Sequence, residues 1–239
     1  MTAGAVPRPA DAGAGPIERA VPFDVLLLLG FLALLAPMAR RVGAGVHDMT
    51  GIVTVVAALV LGVAATDLTS GVVHWFCDTF FSEDTPVLGR LLIGPFREHH
   101  ADPLAMTRRD VLCTNRTNLA AIVVGLLVLA WIRSGSAYAP SLFADAWWVA
   151  YALAIALTNE THKLAHRPDV PAAAAWLQAR GLIVSPARHA RHHDGAHGRS
   201  FCVTTGWCNP LLDRTALFDR VERWMGRRRR GLTRRGAIP

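Results

Sequence analysis

Residues 146–166 read AWWVAYALAIALTNETHKLAH, an apolar stretch that passes into a polar turn carrying two histidines. A helix needs about 20 apolar residues to cross the hydrocarbon core of a bilayer, with about 17 at the lower limit. On such a helix His162 and His166 lie one turn apart on the same face, which also carries Asn159. The stretch therefore predicts a transmembrane helix that ends in a pair of candidate metal ligands.

The composition of the whole chain indicates a membrane protein. Of its 239 residues, 52% are hydrophobic and only 18% are charged, whereas a soluble domain carries about 25% charged residues. The formal net charge is +7, which also occurs in proteins that bind nucleic acid. The long apolar runs instead favour an anionic membrane surface as the partner of the basic residues. We therefore expect an integral, multi-pass membrane protein that binds no nucleic acid.

Four apolar segments are candidate transmembrane helices, at residues 22–38, 51–73, 118–132 and 146–164. The third is short for a span unless the flanking Thr117 and Arg133 reach the membrane surface. The predicted fold class is an all-α integral membrane protein, with four transmembrane helices and a cytoplasmic histidine-rich helical cap that holds a di-metal centre. The predicted domain organisation is a disordered leader at residues 1–20, a four-span domain at 21–226 and an arginine-rich tail at 227–239.

Loop charges predict the orientation in the membrane. The loop at residues 134–145 contains no lysine or arginine, whereas residues 74–117 and the C-terminal region are rich in arginine. By the positive-inside rule the two arginine-rich regions face the cytoplasm. Both chain termini are then cytoplasmic, and we expect the protein in a bacterial inner membrane. Arg40 and Arg41 lie on the opposite side and run against this bias.

This orientation places nine of the ten histidines on the cytoplasmic side of the membrane and only His47 on the other. Three of the nine have the i, i+3, i+4 spacing of one helix face. Nine neutral imidazoles leave many lone pairs to satisfy, and metal coordination satisfies them. The nine predicted metal ligands are His74, His99, His100, His162, His166, His189, His192, His193 and His197.

The number and type of these ligands favour two iron ions. A zinc ion takes four ligands, commonly including thiolates, and the spacing of the four cysteines matches no zinc motif. Imidazole suits iron among the transition metals. The Glu-x-x-His motif of soluble di-iron proteins and the H-E-x-x-H motif of zinc proteases are both absent from the sequence. The sequence thus predicts a histidine-only di-iron centre, which would use O₂ to break unactivated C–H bonds.

Four segments of the chain resemble a known enzyme family, and they occur in the same order. They are DLTSGVVHW (67–75), PFREHHADPLAMTRRD (95–110), TNETHKLAH (158–166) and RHARHHDGAHGRSFCVTTGWCNPLLD (188–213). The sequence resembles the plasmanylethanolamine desaturase family, the Kua/CarF-type membrane lipid desaturases. The resemblance implies that the domain at 21–226 introduces the vinyl-ether double bond into a 1-O-alkyl phosphatidylethanolamine, forming a plasmalogen. It also implies two iron ions, O₂ as co-substrate, and an electron donor such as cytochrome b5 or ferredoxin with its reductase.

The resemblance extends to individual residues, because the nine histidines fall on the histidines of the family. A plant branch that acts on phosphatidylglycerol tends to read Q-G-H-H where this chain has residues 97–100, and it lacks a histidine at the position of His197. Both differences place this chain nearer the ether-lipid branch. Arg188 departs from the ether-lipid enzymes, which often have a histidine there, and it leaves the H-x-x-H-H motif intact.

Several polar side chains near the histidines have predicted supporting roles. We expect four of them to orient imidazole N–H groups: Asp67, Asp78, Glu98 and Asn159. We expect three arginines to bind the phosphate of the membrane phospholipid substrate, unless they only set the orientation of the protein: Arg97, Arg108 and Arg109. The arginines at 227–230 are expected to lie on anionic headgroups, or else to dock an acidic electron donor.

Other functions are compatible with the same histidines. An acyl-chain desaturase of phosphatidylglycerol, or a related lipid hydroxylase, would need the same iron centre and differ only in how the substrate is placed. A non-catalytic metal carrier would be expected to carry histidines on both membrane faces or within the spans. A structural membrane protein with a basic tail would leave the spacing of the histidines unexplained.

Overall fold

The computed structural model describes residues 17–135, 140–194 and 197–226, and these ranges are mostly helical. A π-helix, Gly89–Ile93, runs directly into α3, and a 3₁₀ turn, Ala105–Arg108, precedes α4. β-pairing within the described ranges is limited to one isolated bridge between Glu18 and Arg109. In chain order the helices are α1 (Pro22–Ala44), α2 (Met49–Thr79), α3 (Gly94–Ala101), α4 (Val111–Ser134), α5 (Leu142–His166), α6 (Ala172–Ala179), α7 (Pro186–His193), α8 (Asn209–Thr215) and α9 (Leu217–Trp224).

Four of these helices, α1, α2, α4 and α5, are long and apolar enough to cross a membrane. They contain 23, 31, 24 and 25 residues, and each therefore exceeds the lower limit of about 17 residues for a span. The predicted all-α, four-span membrane fold is confirmed. The remaining helices have at most eight residues each, and they form a cap at one end of the four long ones.

The third span is longer than the sequence prediction of 118–132. Helix α4 begins at Val111, because the side chain of Asp110 caps it by accepting a hydrogen bond from the backbone N–H of Cys113 at 2.8 Å. The polar turns that follow are helical because they face α5, where Asn118 donates to the Ile155 carbonyl at 3.0 Å. The apolar run thus marked only the most apolar part of a 24-residue helix.

The predicted leader at residues 1–20 is ordered at its end. Glu18 exchanges backbone hydrogen bonds with the segment before α4, donating to the Arg108 carbonyl at 2.7 Å and accepting from the Asp110 N–H at 2.9 Å. Its carboxylate pairs with Arg109 at 3.0 Å. Residues 1–16 and the predicted tail at 227–239 lie outside the described residues.

Helix α5 is the centre of the bundle, since α1, α2 and α4 all pack against it. The approach of α2 depends on Gly62, where a Cβ atom would lie 2.6 Å from the Trp147 carbonyl oxygen and 2.8 Å from the Ala150 side chain. On its other side α5 joins a core shared with α1 and α4, made of Phe31, Leu35, Met38, Leu119, Ile122, Leu126, Ala152 and Ala156. This arrangement places the ends of α2 and α5 side by side.

Two buried carboxylates tie the long helices together, one near each end of the bundle. Asp24 on α1 is fully buried and accepts two hydrogen bonds from Arg116 on α4, at 2.6 and 2.9 Å. At the opposite end Asp145 on α5 accepts from Arg41 at 2.6 Å and from Arg133 at 2.8 Å. Arg41, which runs against the predicted charge bias, therefore has a buried counter-charge.

The spacing of these ion pairs matches a membrane. Asp24 and Arg41 are 17 residues apart on α1, as are Arg116 and Arg133 on α4, which corresponds to about 26 Å along a helix. The hydrocarbon core of a bilayer is about 30 Å thick. The two ion-pair layers thus lie where the helices would leave the hydrocarbon.

Replacing Asp24 by Asn is expected to destabilise the bundle, because the neutral amide cannot accept both hydrogen bonds of the Arg116 guanidinium. Removing one partner of a buried pair costs about 3–5 kcal/mol, and the partial exposure of Arg116 reduces this to about 2 kcal/mol. The midpoint temperature of thermal unfolding, measured on the purified protein in detergent, should fall by about 4–8 °C. Asp169→Asn, which removes an exposed pair with Arg167, is the control and should change the midpoint by less than a third of that.

Candidate metal centre

The nine predicted ligands lie together at the cap end of the bundle. His74 lies near the end of α2, His99 and His100 on α3, His162 and His166 on the last turns of α5, and three more on α7, with His197 in the segment that follows. Their rings contact one another at centroid separations of 4.1 to 6.4 Å. His47, which precedes α2, lies at the other end of that helix. The structure thus brings together every histidine for which we predicted a metal, from four helices and one loop.

One group of imidazoles converges on a single point. The Nε2 atom of His189 lies 2.9 Å from that of His162, 2.9 Å from that of His166 and 3.0 Å from that of His193. The Nε2 atoms of His162 and His166 are 3.3 Å apart. His99 completes this group of five possible ligands.

These distances are those of ligands around a common ion. Two nitrogens that bind one metal ion at about 2.1 Å and at right angles to each other lie about 3.0 Å apart. The Nε2 atom of a neutral imidazole either donates one hydrogen bond or accepts one, so protons cannot satisfy His189 Nε2 against three nitrogen neighbours. A cation at the point of convergence satisfies all of them, and the residues therefore fit a metal ion.

A second group adjoins the first. His74, His99, His100 and His192 can each direct one nitrogen to within 4.8 Å of the others. All four rings are buried or nearly so. Four buried nitrogens in this group have no hydrogen-bond partner among the described residues: His74 Nε2, His99 Nε2, His100 Nδ1 and His192 Nε2. His197 forms a third, overlapping group with His100 and His193. Since a buried nitrogen without a partner is costly, this side of the cluster also fits a metal ion.

Backbone carbonyls orient two ligands of the second group. The Nδ1 atom of His74 lies 3.1 Å from the Phe201 carbonyl oxygen, and that of His192 lies 2.9 Å from the Arg199 carbonyl oxygen. A ring nitrogen beside a carbonyl oxygen must carry the proton, so Nδ1–H donates in both rings. The Nε2 lone pairs are then directed into the cluster, as is usual for metal-binding histidines.

Asp78 is the carboxylate in contact with the histidines. Its Oδ1 atom accepts a hydrogen bond from His100 Nε2 at 3.1 Å, which leaves the buried Nδ1 of His100 as the ligand atom. Its Oδ2 atom lies 3.5 Å from the Nε2 atoms of both His74 and His192. The side chain is only 4% exposed. Asp78 thus orients one imidazole, and its second oxygen lies beside the candidate ligand nitrogens of His74 and His192.

Asp67 does not contact an imidazole, contrary to the sequence prediction. Its Oδ1 atom accepts hydrogen bonds from the backbone N–H groups of Thr205 and Gly206, both at 2.8 Å, and its Oδ2 atom accepts from Cys208 at 2.9 Å. The carboxylate is completely buried. Asp67 therefore anchors the loop at residues 200–208, whose Phe201 carbonyl in turn orients His74.

The loop at residues 200–208 runs back along α2 toward the membrane. Asp67 precedes His74 by seven residues, or about 10 Å along the helix. Non-helical backbone at such a depth requires partners within the protein for its polar groups. Ser70 accepts from the Val203 N–H, Thr161 donates to the Val203 carbonyl, and Asn209 pairs with both backbone groups of Cys202. These contacts show why the loop can lie against α2 and α5.

Four imidazoles outside the long helices are neutral at pH 7: His99, His189, His193 and His197. Burial, reinforced by the neighbouring histidines, lowers the pKa of His99 and of His189 well below the ordinary value. The same causes lower the pKa of His193 to about 2 and that of His197 to about 4. Because only a neutral imidazole has a lone pair for a metal, the cluster is poised for coordination.

Two further residues are not where the sequence prediction placed them. Asn159 donates its side-chain N–H to the Thr114 carbonyl at 3.1 Å, so it joins α5 to α4 and does not orient an imidazole. Glu98 is half exposed and pairs with Arg109, with 3.6 Å between the charged atoms. Glu98 is adjacent to His99 in the sequence and therefore points about 100° away from it around α3, whereas Asn159 shares the face of His162 but lies nearly one turn earlier on α5, where it meets α4.

The three arginines predicted to bind phosphate differ in how far they are already engaged. Arg108 pairs with Asp102 at 2.6 Å, and Arg109 is shared between two carboxylates. Arg97 donates one N–H to the Phe81 carbonyl at 2.6 Å, and its buried Nε–H has no hydrogen-bond partner among the described residues. Of the three, Arg97 is thus the one with a buried N–H that lacks a hydrogen-bond partner among the described residues.

Comparison of the sequence with known protein families supports a functional role for the histidine cluster. The lipid desaturase domain family matches residues 63–235, which include all nine histidines of the cluster. The chain belongs to the lipid desaturase family. The resemblance predicted from the sequence motifs is confirmed, and this lipid desaturase is a membrane-bound oxidoreductase of that family.

Three relatives illustrate the family. This lipid desaturase is 34% identical over 212 residues to the plasmanylethanolamine desaturase of Myxococcus xanthus, covering 88% of this chain and 73% of that protein. It is 35% identical over 175 residues to plasmanylethanolamine desaturase 1 of Mus musculus, covering 70% and 64% of the two chains. It is 32% identical over 163 residues to the chloroplastic fatty acid desaturase 4 of Arabidopsis thaliana, covering 67% and 48%. No solved structure matches this chain.

Replacing His162 by Ala is expected to abolish metal binding by the first group, because His162 Nε2 lies at the point of convergence. Metal content of the purified protein, measured by plasma mass spectrometry after loading with Fe(II) under argon, should fall by at least one ion per chain. His47→Ala, outside the cluster, is the matched control and should retain the wild-type content. Equal metal content in the two variants would contradict the assignment of this cluster as a metal centre.

Replacing Asp67 by Asn is expected to weaken metal binding without removing a ligand. The amide group keeps one acceptor oxygen but places N–H donors against the Cys208 N–H, so the loop at 200–208 shifts and the Phe201 carbonyl moves away from His74. Loss of such an indirect support typically reduces metal affinity by about 10- to 100-fold. A Co(II) titration followed by visible absorption would measure the change, and an affinity equal to that of the wild type would refute the proposed role of Asp67.

Proposed function

We propose that this lipid desaturase converts 1-O-alkyl phosphatidylethanolamine to the vinyl-ether plasmalogen, using two iron ions held by the nine histidines. The observation that carries the proposal is the convergence of imidazole nitrogens from α5 and α7 at 2.9–3.3 Å, adjoining a second group of buried, unpartnered nitrogens. The names of the Myxococcus and mouse relatives support the choice of an ether-lipid substrate. Imidazole ligands are compatible with iron.

The net reaction removes one hydrogen atom from each of two adjacent carbons next to the ether oxygen. O₂ is reduced to two water molecules with these two hydrogens, two further protons and two electrons from a donor protein, for which a cytochrome b5 or a ferredoxin with its reductase is suitable. The bound iron ions would supply the activation of O₂ and the cleavage of the C–H bonds.

The protein itself supplies position and shielding. The Phe201 and Arg199 carbonyls hold His74 and His192 with their Nε2 atoms directed inward. Both rings are fully buried, so bulk water is kept from that side of the centre. Arg97 on α3, whose guanidinium already donates to the Phe81 carbonyl, is the proposed partner of the lipid phosphate, to which its terminal N–H groups would donate.

The depth of the centre favours carbons close to the glycerol backbone. Asn115 on α4 accepts from the Glu160 N–H on α5, so the two helices are level at that point. Arg116 and its partner Asp24 lie deeper, whereas His162 and His166 lie farther out. The ligands are therefore at the height of the lipid headgroups, near the cytoplasmic face of a bacterial inner membrane in the orientation that the loop charges predict.

The closest competing function is desaturation of an acyl chain, as the name of the Arabidopsis relative indicates for that protein. Phosphatidylglycerol would then be the expected substrate, and a related lipid hydroxylase would need the same ligands. A non-catalytic metal-binding protein is the remaining alternative. The position of the histidines on a single side of the four helices favours an enzyme, since a carrier needs ligands along its path across the membrane.

Lipid analysis of a host that makes no plasmalogens tests the proposal. Cells expressing this chain and supplied with an alkylglycerol should accumulate a phosphatidylethanolamine two hydrogens lighter than the alkyl lipid, and acid treatment should cleave it, because vinyl ethers are acid-labile. Cells expressing His192→Ala together with His193→Ala are the control and should lack the product. Unchanged alkyl lipid beside a new double bond in phosphatidylglycerol would replace the ether-lipid proposal by acyl desaturation. Full metal binding with no change in any lipid would favour the non-catalytic alternative.

A further inference from the structure

Lys163 is the single lysine of a chain that otherwise uses arginine for its cations. The residue is only 4% exposed, near the end of α5 and directly after His162. In the sequence a lone lysine among 25 cationic residues reads as a compositional accident. The burial of its charge contradicts that reading, because a lysine is rarely buried without specific partners.

The Lys163 ammonium contacts three oxygens. It forms an ion pair with the Glu160 carboxylate, with 2.6 Å between the charged atoms, and it donates hydrogen bonds to the Arg109 carbonyl at 3.1 Å and to the Thr114 hydroxyl at 3.3 Å. A tetrahedral ammonium group presents three N–H donors in different directions, whereas the guanidinium of arginine presents its donors in one plane. This geometry explains why lysine occupies the position.

Of these oxygens, one belongs to the segment that joins α3 to α4 and another to the start of α4. Arg109 directly follows the 3₁₀ turn after α3, and its guanidinium pairs with Glu98, the residue before the ligand His99. Thr114 lies in the first turns of α4. A continuous set of contacts therefore leads from α5, through Lys163 and Arg109, to the helix that carries His99 and His100.

We propose that Lys163 is a positioning residue that fixes α3 relative to α5, so that the ligands of the two helices share one metal centre. This inference rests on the proposed metal-dependent function, but it concerns the geometry of the ligand set and not the lipid that reacts. It also assigns a role to Glu98 and Arg109. Their ion pair connects α3 to the segment whose Arg109 carbonyl binds Lys163.

Hydrogen–deuterium exchange on the full-length, metal-free protein in detergent tests the contact network. In Lys163→Met, peptides covering residues 98–110 should exchange at least about tenfold faster than in the wild type, while peptides from α1 and from the middle of α2 stay unchanged. Since Met leaves the Glu160 carboxylate unpaired, the double variant Lys163→Met, Glu160→Gln is included, and it should show the same local change. The proposal would be overturned if exchange became faster throughout the bundle, or if the exchange rate at residues 98–110 did not increase.

Titration with Co(II) tests the consequence for the ligands. The visible absorption of the bound ion reports coordination without turnover, so the result does not depend on whether the lipid assignment is correct. Both Met variants should bind Co(II) about 10- to 100-fold more weakly and with an altered spectrum. Arg167→Met, which removes an exposed ion pair four residues along the chain, should bind as the wild type does.

The conservative variant separates geometry from charge. Lys163→Arg keeps the positive charge beside Glu160 but cannot also direct donors to the Arg109 carbonyl and the Thr114 hydroxyl, so its Co(II) affinity and its exchange at residues 98–110 should resemble those of the Met variants. Full restoration of both quantities by arginine would show that charge alone matters and would overturn the three-point contact.

Discussion

Nine imidazoles can share one buried cluster only where their lone pairs find a common partner. His189 Nε2 has three nitrogen neighbours within 3.0 Å, a set that no distribution of protons satisfies. Contacts elsewhere in the cap direct the lone pairs of the adjoining group inward. The backbone carbonyls of Phe201 and Arg199 take the outer protons of two rings, and the loop that carries them depends on the carboxylate of Asp67.

Attachment of the ligand-bearing segments is as important as the ligands themselves. Helices α2 and α5 pack directly, and Gly62 allows their close approach. Helix α3 has only eight residues and is too short to be stable alone. Its place relative to α5 depends on contacts made by the segment after it, where Lys163 holds the Arg109 carbonyl. One rigid helix thus serves as the reference for ligands that come from separate parts of the chain.

The sequence was sufficient to predict what depends on local spacing and failed where contacts are distant along the chain. The apolar runs indicated four spans, and the i, i+4 spacing of His162 and His166 indicated one ligand face. The supporting role of Asp67 is carried by backbone N–H groups about 140 residues away, which no side-chain pattern reveals. Lys163 was missed for the same reason, since its burial depends on how α4 meets α5.

The length of α2 bears on which bond of a lipid can react. Its 31 residues extend about 46 Å, well beyond the about 30 Å of a hydrocarbon core, so the end that carries His74 and Asp78 projects into the headgroup layer. A carbon in the middle of an acyl chain would have to be lifted out of the hydrocarbon to reach the cluster. The first carbons of an ether-linked chain are already at that height. The same geometry therefore supports the proposed reaction next to the glycerol backbone.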